Sequence, residues 1–323
     1  MKYSKEQLMV LSNNTGFRAE ILEKVLLLMD LLECFFNDPL LKGKLVLKGG
    51  TALNLFYLEL PRLSIDIDLN YIGEIDRENM MFDRKRTEER IIAICELQKF
   101  MLYRQPSVHA GGKLIWRYPS ALGYMGNLEM DLNYMYRIPL LPVSQKTSIQ
   151  IGDFSVKNIV VLDVHELAAG KLAALIDRSL GRDLFDAYCL FSANFLNSEI
   201  LRPIFVTYLG VGNKKDICNI SVEKITIDHE ELLNRLLPML SKKRLSDIEN
   251  KKIWITTMLV EMRKSLQTLL PLRANEIAFL DALLDYGEIR PEMITENLQL
   301  QKNIKSHPAL HWAVFNTQRN KSR

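Results

Sequence analysis

Two aspartates separated by one residue, Asp66 and Asp68, lie in an alternating polar and apolar stretch, residues 64–69. The period of two predicts a strand, and a strand directs alternate side chains to opposite faces, so both carboxylates would share one face. Two adjacent carboxylates repel each other, and such a pair is costly unless a divalent cation lies between them. Hard oxygen ligands at this spacing suit Mg²⁺ bound together with phosphates. The stretch therefore predicts a site for a metal ion and a phosphorylated ligand.

A phosphate-binding turn is predicted just before these aspartates. A short apolar run ends in Lys48, Gly49, Gly50 and Thr51. The two glycines carry no Cβ, so backbone N–H groups can approach a bulky anion closely. Ala52, Leu53, Leu55 and Phe56 then fit a short helix with one apolar face. The segment predicts a strand, an anion-binding turn and a short helix ahead of the aspartate strand.

The turn and the aspartate strand together resemble a known enzyme family. The string Lys48-Gly-Gly-Thr-Ala-Leu, followed by Arg62-x-Ser64-x-Asp66-Ile-Asp68, is similar to nucleotidyltransferases of the polymerase-beta type. More narrowly, it resembles the AbiEii family of abortive-infection toxins, which belong to bacterial toxin–antitoxin systems. An Asp-x-Asp alone occurs in many proteins, whereas its combination with Gly-Gly-Thr and Arg-x-Ser at this offset is much more specific. The alternative is a surface turn followed by an ordinary edge strand.

The resemblance implies a third carboxylate on a strand beside the aspartate strand. Residues 127–134 alternate, which places Glu129, Asp131 and Asn133 on one face of a predicted strand. Asp131 is the middle member of that face and precedes a family-like Asn-Tyr-x-x-Arg137 string. We predict Asp131 as the third carboxylate and keep Glu129 as the open alternative. Both would otherwise form the solvated face of an antiparallel hairpin.

The second half of the chain carries another family-like pattern. Lys171 and Arg178 are seven residues apart, so a helix would place them on one face, where they could point toward an anion. The resemblance implies that Lys171 sits on a triphosphate as a point charge. Asp183 and Asp186 would then position Lys171 or Arg62, or contact the acceptor. The alternative is that Arg182 and Asp183 form surface ion pairs and that Lys171 is a solvated stem.

The resemblance thus implies two overlapping sets of site residues. The predicted catalytic residues are Asp66, Asp68, Asp131, Lys171, Asp183 and Asp186. The predicted nucleotide-binding residues are Lys48, Gly49, Gly50, Thr51, Arg62, Ser64 and Lys171. Asp66, Asp68 and Asp131 would hold Mg²⁺ or Mn²⁺, a nucleoside triphosphate would be the substrate, and Asp131 would accept the proton of the attacking hydroxyl.

The elements that would position these residues form an α/β (α+β) fold. Hydrophobic periodicity predicts helices over the ranges 17–37, 77–101, 229–240, 246–269 and 274–286. Period-two alternation predicts strands over 113–118, 127–134, 149–151 and 154–156, and glycines predict a loop-rich region over 206–222. We predict a nucleotidyltransferase domain, residues 1–158, with a mixed sheet flanked by helices. A mostly helical C-terminal domain, residues 159–323, would complete the nucleotide site and bind the acceptor.

Composition sets broad limits on location and partners. The 323 residues include 42 Lys+Arg and 39 Asp+Glu, a net charge of +3 that neither requires nor excludes a nucleic-acid partner. The N-terminus lacks an apolar signal core, and no apolar run approaches the roughly 18 residues of a membrane span, so we predict a cytoplasmic protein free of membrane. Four cysteines without a Cys-x-x-Cys pair predict reduced thiols.

The partners follow mainly from the resemblance. It implies a growth-inhibiting bacterial toxin that is neutralised by a cognate antitoxin and that transfers nucleotides to RNA, with the 3′ end of tRNA as acceptor. A set of basic residues predicts an RNA-facing surface: Lys242, Lys243, Arg244, Lys251, Lys252, Arg263, Lys264 and Arg273. Two alternatives stay open at this point. The same fold could modify a protein or small-molecule hydroxyl, or it could be an inactive module that binds nucleotide or antitoxin.

Overall fold

The computed structural model describes residues 2–105, 111–212, 217, 220–227 and 229–321. The chain divides into two compact units. The first unit comprises residues 1–137, 143–162 and 237–247, and the second comprises 138–142, 163–236 and 248–323.

The first unit contains one mixed sheet, built from all seven strands of the described ranges. In chain order these are β1 (Leu45–Lys48), β2 (Asp66–Tyr71), β3 (Met101–Arg104), β4 (Gly111–Pro119), β5 (Met125–Asn133), β6 (Ser144–Lys146) and β7 (Ile159–Val161). Their order across the sheet is β3-β4-β5-β2-β1-β7-β6. The β2–β5 and β1–β7 pairs are parallel and the other pairs are antiparallel. The predicted mixed sheet is confirmed.

Four helices of the first unit precede or interrupt this sheet: α1 (Lys5–Thr15), α2 (Ala19–Asn37), α3 (Gly49–Phe56) and α4 (Arg77–Leu97). Helix α2 confirms the predicted helix over 17–37 and packs on β5 and β7. The predicted helix over 77–101 is wrong at its end. Lys99 adopts a left-handed φ of 70°, and the Phe100 N–H turns back to Cys95 O, so the helix stops and Met101 begins β3.

The two faces of the sheet differ because the strands alternate. On β4 and β5, Leu114, Trp116, Leu128 and Met130 are buried on one face, whereas residues between them point to the other face and are exposed or half-buried. The predicted strands over 113–118 and 127–134 are confirmed. The predicted pair at 149–151 and 154–156 is reduced to a single bridge between Ile151 and Phe154.

Helices dominate the chain after the sheet. They are α5 (Val164–Arg178), α6 (Gly181–Ser192), α7 (Ser198–Val211), α8 (His229–Glu231), α9 (Lys242–Ser246), α10 (Lys251–Leu266), α11 (Ala274–Asp281), α12 (Leu298–Lys305) and α13 (Pro308–Lys321). Helix α9 belongs to the first unit and the others to the second. The predicted loop over 206–222 is wrong at its start, because α7 continues to Val211. Gly210 is a packing residue there, since a Cβ on it would lie 2.6 Å from Leu283 Cδ2.

The predicted helices of the last third are confirmed in part. Residues 229–239 form α8 followed by a π-helical turn and a 3₁₀ turn, rather than one regular helix. The predicted helix over 246–269 begins only at Lys251, where the Asn250 side chain caps α10. The predicted helix over 274–286 is confirmed as α11 with a π-helical extension to Tyr286.

A segment from the second half of the chain returns to the first unit. The Leu63 N–H donates to Met239 O at 2.9 Å, and the Lys242 N–H donates to Gly16 O at 2.8 Å. These main-chain bonds attach residues 237–247 to the rest of the first unit. The predicted boundary between residues 158 and 159 does not account for residues 237–247, which lie in the first unit. The predicted functions of the two domains stay predictions.

The predictions about membrane spans and thiols can be compared with the structure only over the described residues. No helix in it is long and apolar enough to cross a lipid bilayer. Cys34, Cys95 and Cys189 are free thiols, and Cys218 lies outside the described residues.

Glu166 is a buried carboxylate that fixes the start of the second unit. It accepts hydrogen bonds from the N–H groups of Leu140 and Leu141, at 3.0 and 3.1 Å, and from the Tyr208 hydroxyl at 3.2 Å. Its burial raises its pKa to about 7, and the three hydrogen bonds only partly oppose this effect.

This raised pKa predicts a pH-dependent stability. The folded chain binds a proton at Glu166 between its ordinary pKa of 4.5 and about 7, so the free energy of unfolding falls as pH rises through that window. Glu166→Gln lacks this titration. We therefore expect the free energy of unfolding of Glu166→Gln, minus that of the wild type, to rise by about 3 kcal/mol between pH 4 and pH 8. Chemical denaturation across this range measures the difference. The exposed Glu59→Gln serves as the control, and equal pH dependence in wild type and Glu166→Gln would contradict the assignment.

Candidate functional site

The register of two parallel strands brings the predicted acidic residues onto one face. Asp68 on β2 is paired with Asp131 on β5, and Asp66 is paired with Glu129. Paired residues on neighbouring strands point to the same side of a sheet. All four side chains are half-buried. Adjacent strands lie about 4.8 Å apart, so these carboxylates are close neighbours on one face.

Two lysines border this acidic face. The Lys48 Nζ, at the end of β1, lies 3.7 Å from Asp131 Oδ2. Lys113 on β4 is paired with Asp131 and donates to Glu129 Oε2 at 2.5 Å. That hydrogen bond, with the charges of Glu129 and the two β2 aspartates, raises the pKa of Lys113 against the opposing effect of partial burial. The sequence analysis missed Lys113, because only the β4–β5 register places it here.

The acidic face supplies the donor type that Mg²⁺ and Mn²⁺ prefer, which is the carboxylate oxygen. Across the described ranges, no group of three or more His, Cys, Asp or Glu side chains is arranged to hold a metal ion. Asp66, Asp68 and Asp131 are the carboxylates on this face that the sequence predicts as metal ligands. Their role as metal ligands stays a prediction.

The diglycine turn lies directly against the aspartate strand. Gly49 has a φ of 74°, and a Cβ on it would lie 2.8 Å from the carboxylate carbon of Asp68. A Cβ on Gly50 would lie 2.6 Å from Arg62 Nη2 and 2.9 Å from Ser64 Oγ. Only glycine allows these approaches without a shift of the neighbouring groups. The first unit therefore brings Gly49, Gly50, Arg62, Ser64 and Asp68 together.

The neighbouring predicted residues are held by main-chain contacts. The Thr51 hydroxyl donates to Asp66 O at 2.5 Å, which ties the start of α3 to the start of β2. Arg62 is buried and donates from Nη1 to Leu63 O at 2.9 Å. The hydrogen bond from the Leu63 N–H to Met239 O, described above, holds the residue that follows Arg62. Sequence reasoning missed Met239, because a main-chain bond leaves no mark in the residue type.

The fit of Gly49 against Asp68 can be tested with a matched glycine. We expect Gly49→Ala to lower the free energy of unfolding by about 1–3 kcal/mol more than Gly43→Ala. Gly43 has nearly the same φ, 76°, but no atom lies within 4 Å of its would-be Cβ. Both variants carry the same backbone strain, so their difference isolates the collision with the Asp68 carboxylate. Thermal and chemical denaturation measure it, and equal destabilisation would show that Asp68 moves away at no cost.

A second charged cluster lies in the second unit, between α5 and α6. The Lys171 Nζ lies 3.0 Å from Asp183 Oδ1 and 2.8 Å from Asp186 Oδ2. The Arg178 Nε and Nη2 bind Asp183 Oδ2 at 2.9 and 2.8 Å. The side chains of Asp183 and Asp186 are only 2% and 0% exposed. The alternative of a surface ion pair at Asp183 and a solvated Lys171 is therefore wrong, since the Lys171 side chain is only 14% exposed.

Charge partners decide the ionisation of Asp183. Burial alone would raise its pKa, but the charges and hydrogen bonds of Lys171 and Arg178 outweigh this and hold the pKa below its ordinary value. Lys171 and Asp183 thus form a buried ion pair at neutral pH. The contact of Lys171 with a triphosphate, and any contact of Asp183 or Asp186 with an acceptor, stay predictions.

A comparison with protein families identifies the chain. The family model described as "Nucleotidyl transferase AbiEii toxin, Type IV TA system" matches residues 30–286. The chain belongs to the AbiEii family. It is a nucleotidyltransferase toxin of a type IV toxin–antitoxin system, and its substrate is a nucleoside triphosphate. The matched residues of this AbiEii protein include the diglycine turn, the acidic face and the Lys171 cluster.

The fold of this AbiEii toxin is also found among solved structures. MenT4, a nucleotidyltransferase toxin from Mycobacterium tuberculosis H37Rv, is similar with a TM-score of 0.60 and 17% sequence identity. The similarity covers 92% of this chain and 97% of that chain, and at this identity it shows the fold alone. A comparison with curated protein sequences gives no match. The predicted fold class, the family and the nucleotidyltransferase activity are confirmed.

Proposed function

We propose that this AbiEii toxin transfers a nucleotide from a nucleoside triphosphate to the 3′-terminal hydroxyl of an RNA, with tRNA as the acceptor. The observation that carries the proposal is the β2–β5 register. It places Asp66, Asp68 and Asp131 on one half-buried face, beside the diglycine turn.

The diglycine turn and its neighbours bind the triphosphate. The backbone N–H groups of Gly49 and Gly50 donate to phosphate oxygens, because no Cβ obstructs their approach. Arg62 and Ser64, packed against Gly50, add a guanidinium and a hydroxyl to the same anion site. Lys48 adds positive charge at the adjoining end of β1.

Asp66, Asp68 and Asp131 would hold a divalent ion, Mg²⁺ or Mn²⁺. When bound, the ion neutralises the charge of the phosphates and polarises the oxygens of the transferred group. A carboxylate oxygen of Asp131 accepts the proton of the acceptor hydroxyl, the hydroxyl oxygen forms a bond to the α-phosphorus, and the bond between the α- and β-phosphates breaks to release pyrophosphate. Lys48, 3.7 Å from Asp131 Oδ2, keeps this carboxylate oriented along the face.

A labelling screen tests this function. Purified protein is incubated with each of the four labelled nucleoside triphosphates, Mg²⁺ or Mn²⁺, and total RNA or total protein. We expect label on RNA of tRNA size, and no label with Asp66→Ala. The proposal is wrong if none of the four nucleotides is transferred while Asp66→Ala still arrests growth as the wild type does.

The same screen separates the remaining alternatives. Label on protein, or on a small molecule instead of RNA, would identify a different hydroxyl acceptor and overturn the RNA assignment. Nucleotide binding in calorimetry without any transfer would indicate an inactive binding module.

A further inference from the structure

The sheet face that carries the carboxylates continues from β5 across β4 to the edge strand β3. Register pairs Glu129 with Ile115, Asn127 with Arg117, and Arg117 with Met101. Arg117 therefore lies on the same face as the carboxylates, two strands away from β2. A register shift between Leu102 and Arg104 bulges the edge strand at Tyr103.

This outer part of the face is basic and aromatic. The Arg117 guanidinium lies over the Tyr103 ring, with its central carbon 3.6 Å from the ring centroid. Tyr103 is still 59% exposed, and Arg104 and Arg117 are exposed as well. We call Tyr103, Arg104 and Arg117 the edge platform. An exposed ring stacked on one guanidinium, with a second arginine next to it in the chain, is an arrangement that stacks unpaired bases and attracts their phosphates.

The same features disfavour a protein strand as the occupant. β3 has only four residues, and its bulge interrupts the ladder that an added strand would have to extend. Two arginines at the edge also match a polyanion in charge. A single-stranded nucleic acid therefore fits this surface better than a peptide does.

We propose that the edge platform binds the single-stranded 3′ end of the RNA acceptor, with Tyr103 stacking on a base and Arg104 and Arg117 contacting phosphates. This inference rests on the proposed RNA acceptor. Three strand spacings separate β3 from β2, which is about 14 Å. At about 3.4 Å per stacked nucleotide, the platform holds a base roughly four nucleotides from the hydroxyl that reaches the carboxylates.

The helix α4 offers a matched control pair. The Arg86 guanidinium lies 4.8 Å from the centroid of the Phe82 ring, and Phe82 is 68% exposed. The test compares Tyr103→Ala and Arg117→Ala with Phe82→Ala and Arg86→Ala. Fluorescence anisotropy measures the binding of a 5′-labelled single-stranded RNA of twelve nucleotides, and calorimetry measures the binding of each nucleoside triphosphate. Transfer assays give KM for RNA and kcat separately.

We expect the two platform variants to bind the RNA about 10- to 100-fold more weakly and to show a raised KM for RNA. In the two platform variants, triphosphate affinity and kcat at saturating RNA should stay at the wild-type level. The two α4 variants should bind RNA and transfer nucleotides as the wild type does, and Tyr103→Trp should retain RNA binding. If the platform variants bind RNA as tightly as the wild type, while the wild type transfers nucleotides to RNA, the platform is wrong and the proposed function survives. If the wild type transfers nucleotides to no RNA, both are overturned.

Discussion

Replacing Asp68 by asparagine is expected to lower the rate of nucleotide transfer by about 10³-fold, which corresponds to roughly 4 kcal/mol of transition-state stabilisation. Asp68 lies at the centre of the acidic face, paired with Asp131 across β2–β5 and in contact range of the diglycine turn. Asparagine keeps the shape that fits against Gly49 but removes the charge and one hard oxygen donor. Single-turnover transfer assays measure the effect, and an unchanged melting temperature shows that the fold is kept.

The same assay decides between the two candidates for the third carboxylate. We expect Asp131→Asn to lose transfer as Asp68→Asn does, and Glu129→Gln to stay within about tenfold of wild type, because Glu129 is already bound to Lys113. The reverse order would assign the role to Glu129. Full activity in Asp68→Asn would remove the basis of the proposed site.

Replacing Lys171 by methionine is expected to destabilise the second unit by about 3–5 kcal/mol. The ammonium group is the shared partner of Asp183 and Asp186, whose side chains are almost fully buried. Methionine fills a similar volume but leaves two buried carboxylates close together without that charge. Chemical denaturation of the whole chain, followed by circular dichroism of the helices, measures the loss.

Two further variants show whether the loss is electrostatic. Combining Lys171→Met with Asp183→Asn and Asp186→Asn should recover most of the stability, because no buried charge is left uncompensated. Arg178→Ala should cost less than Lys171→Met, since the Arg178 side chain is 55% exposed, whereas the Lys171 side chain is only 14% exposed and pairs with both aspartates. A Lys171→Met variant as stable as wild type would mean that the lysine is kept only for binding.

The parts of the fold that sequence predicted correctly share a physical cause. The aspartate strand, helix α2 and strands β4 and β5 each have a strong period that matches one buried face, and burial selects that period. The diglycine turn was found for a different reason. At Gly49 the positive φ and the nearby carboxylate of Asp68 leave no room for a side chain, so glycine is required there and the sequence alone indicates the close contact.

The features that the sequence did not reveal depend on partners far along the chain. Lys113 became a site residue only through the register of β4 on β5. Gly210 predicts a turn locally, yet it packs against Leu283 within a helix. The end of α4 at Lys99 rests on a left-handed backbone at a residue type that seldom adopts it. For Lys113 and Gly210 a contact far along the chain determined the structure, whereas at Lys99 the helix ends through a local hydrogen bond from the Phe100 N–H to Cys95 O.

The return of residues 237–247 has a consequence during translation. When residue 162 leaves the ribosome, all seven strands have been synthesised, but Leu63 and Gly16 still lack the backbone partners supplied by Met239 and Lys242. The nascent nucleotidyltransferase unit can complete itself only after most of the polypeptide has emerged. Until residues 237–247 emerge, the nascent enzyme lacks the hydrogen bonds from Leu63 to Met239 and from Lys242 to Gly16. A fragment that ends at residue 162 would lack the same two bonds.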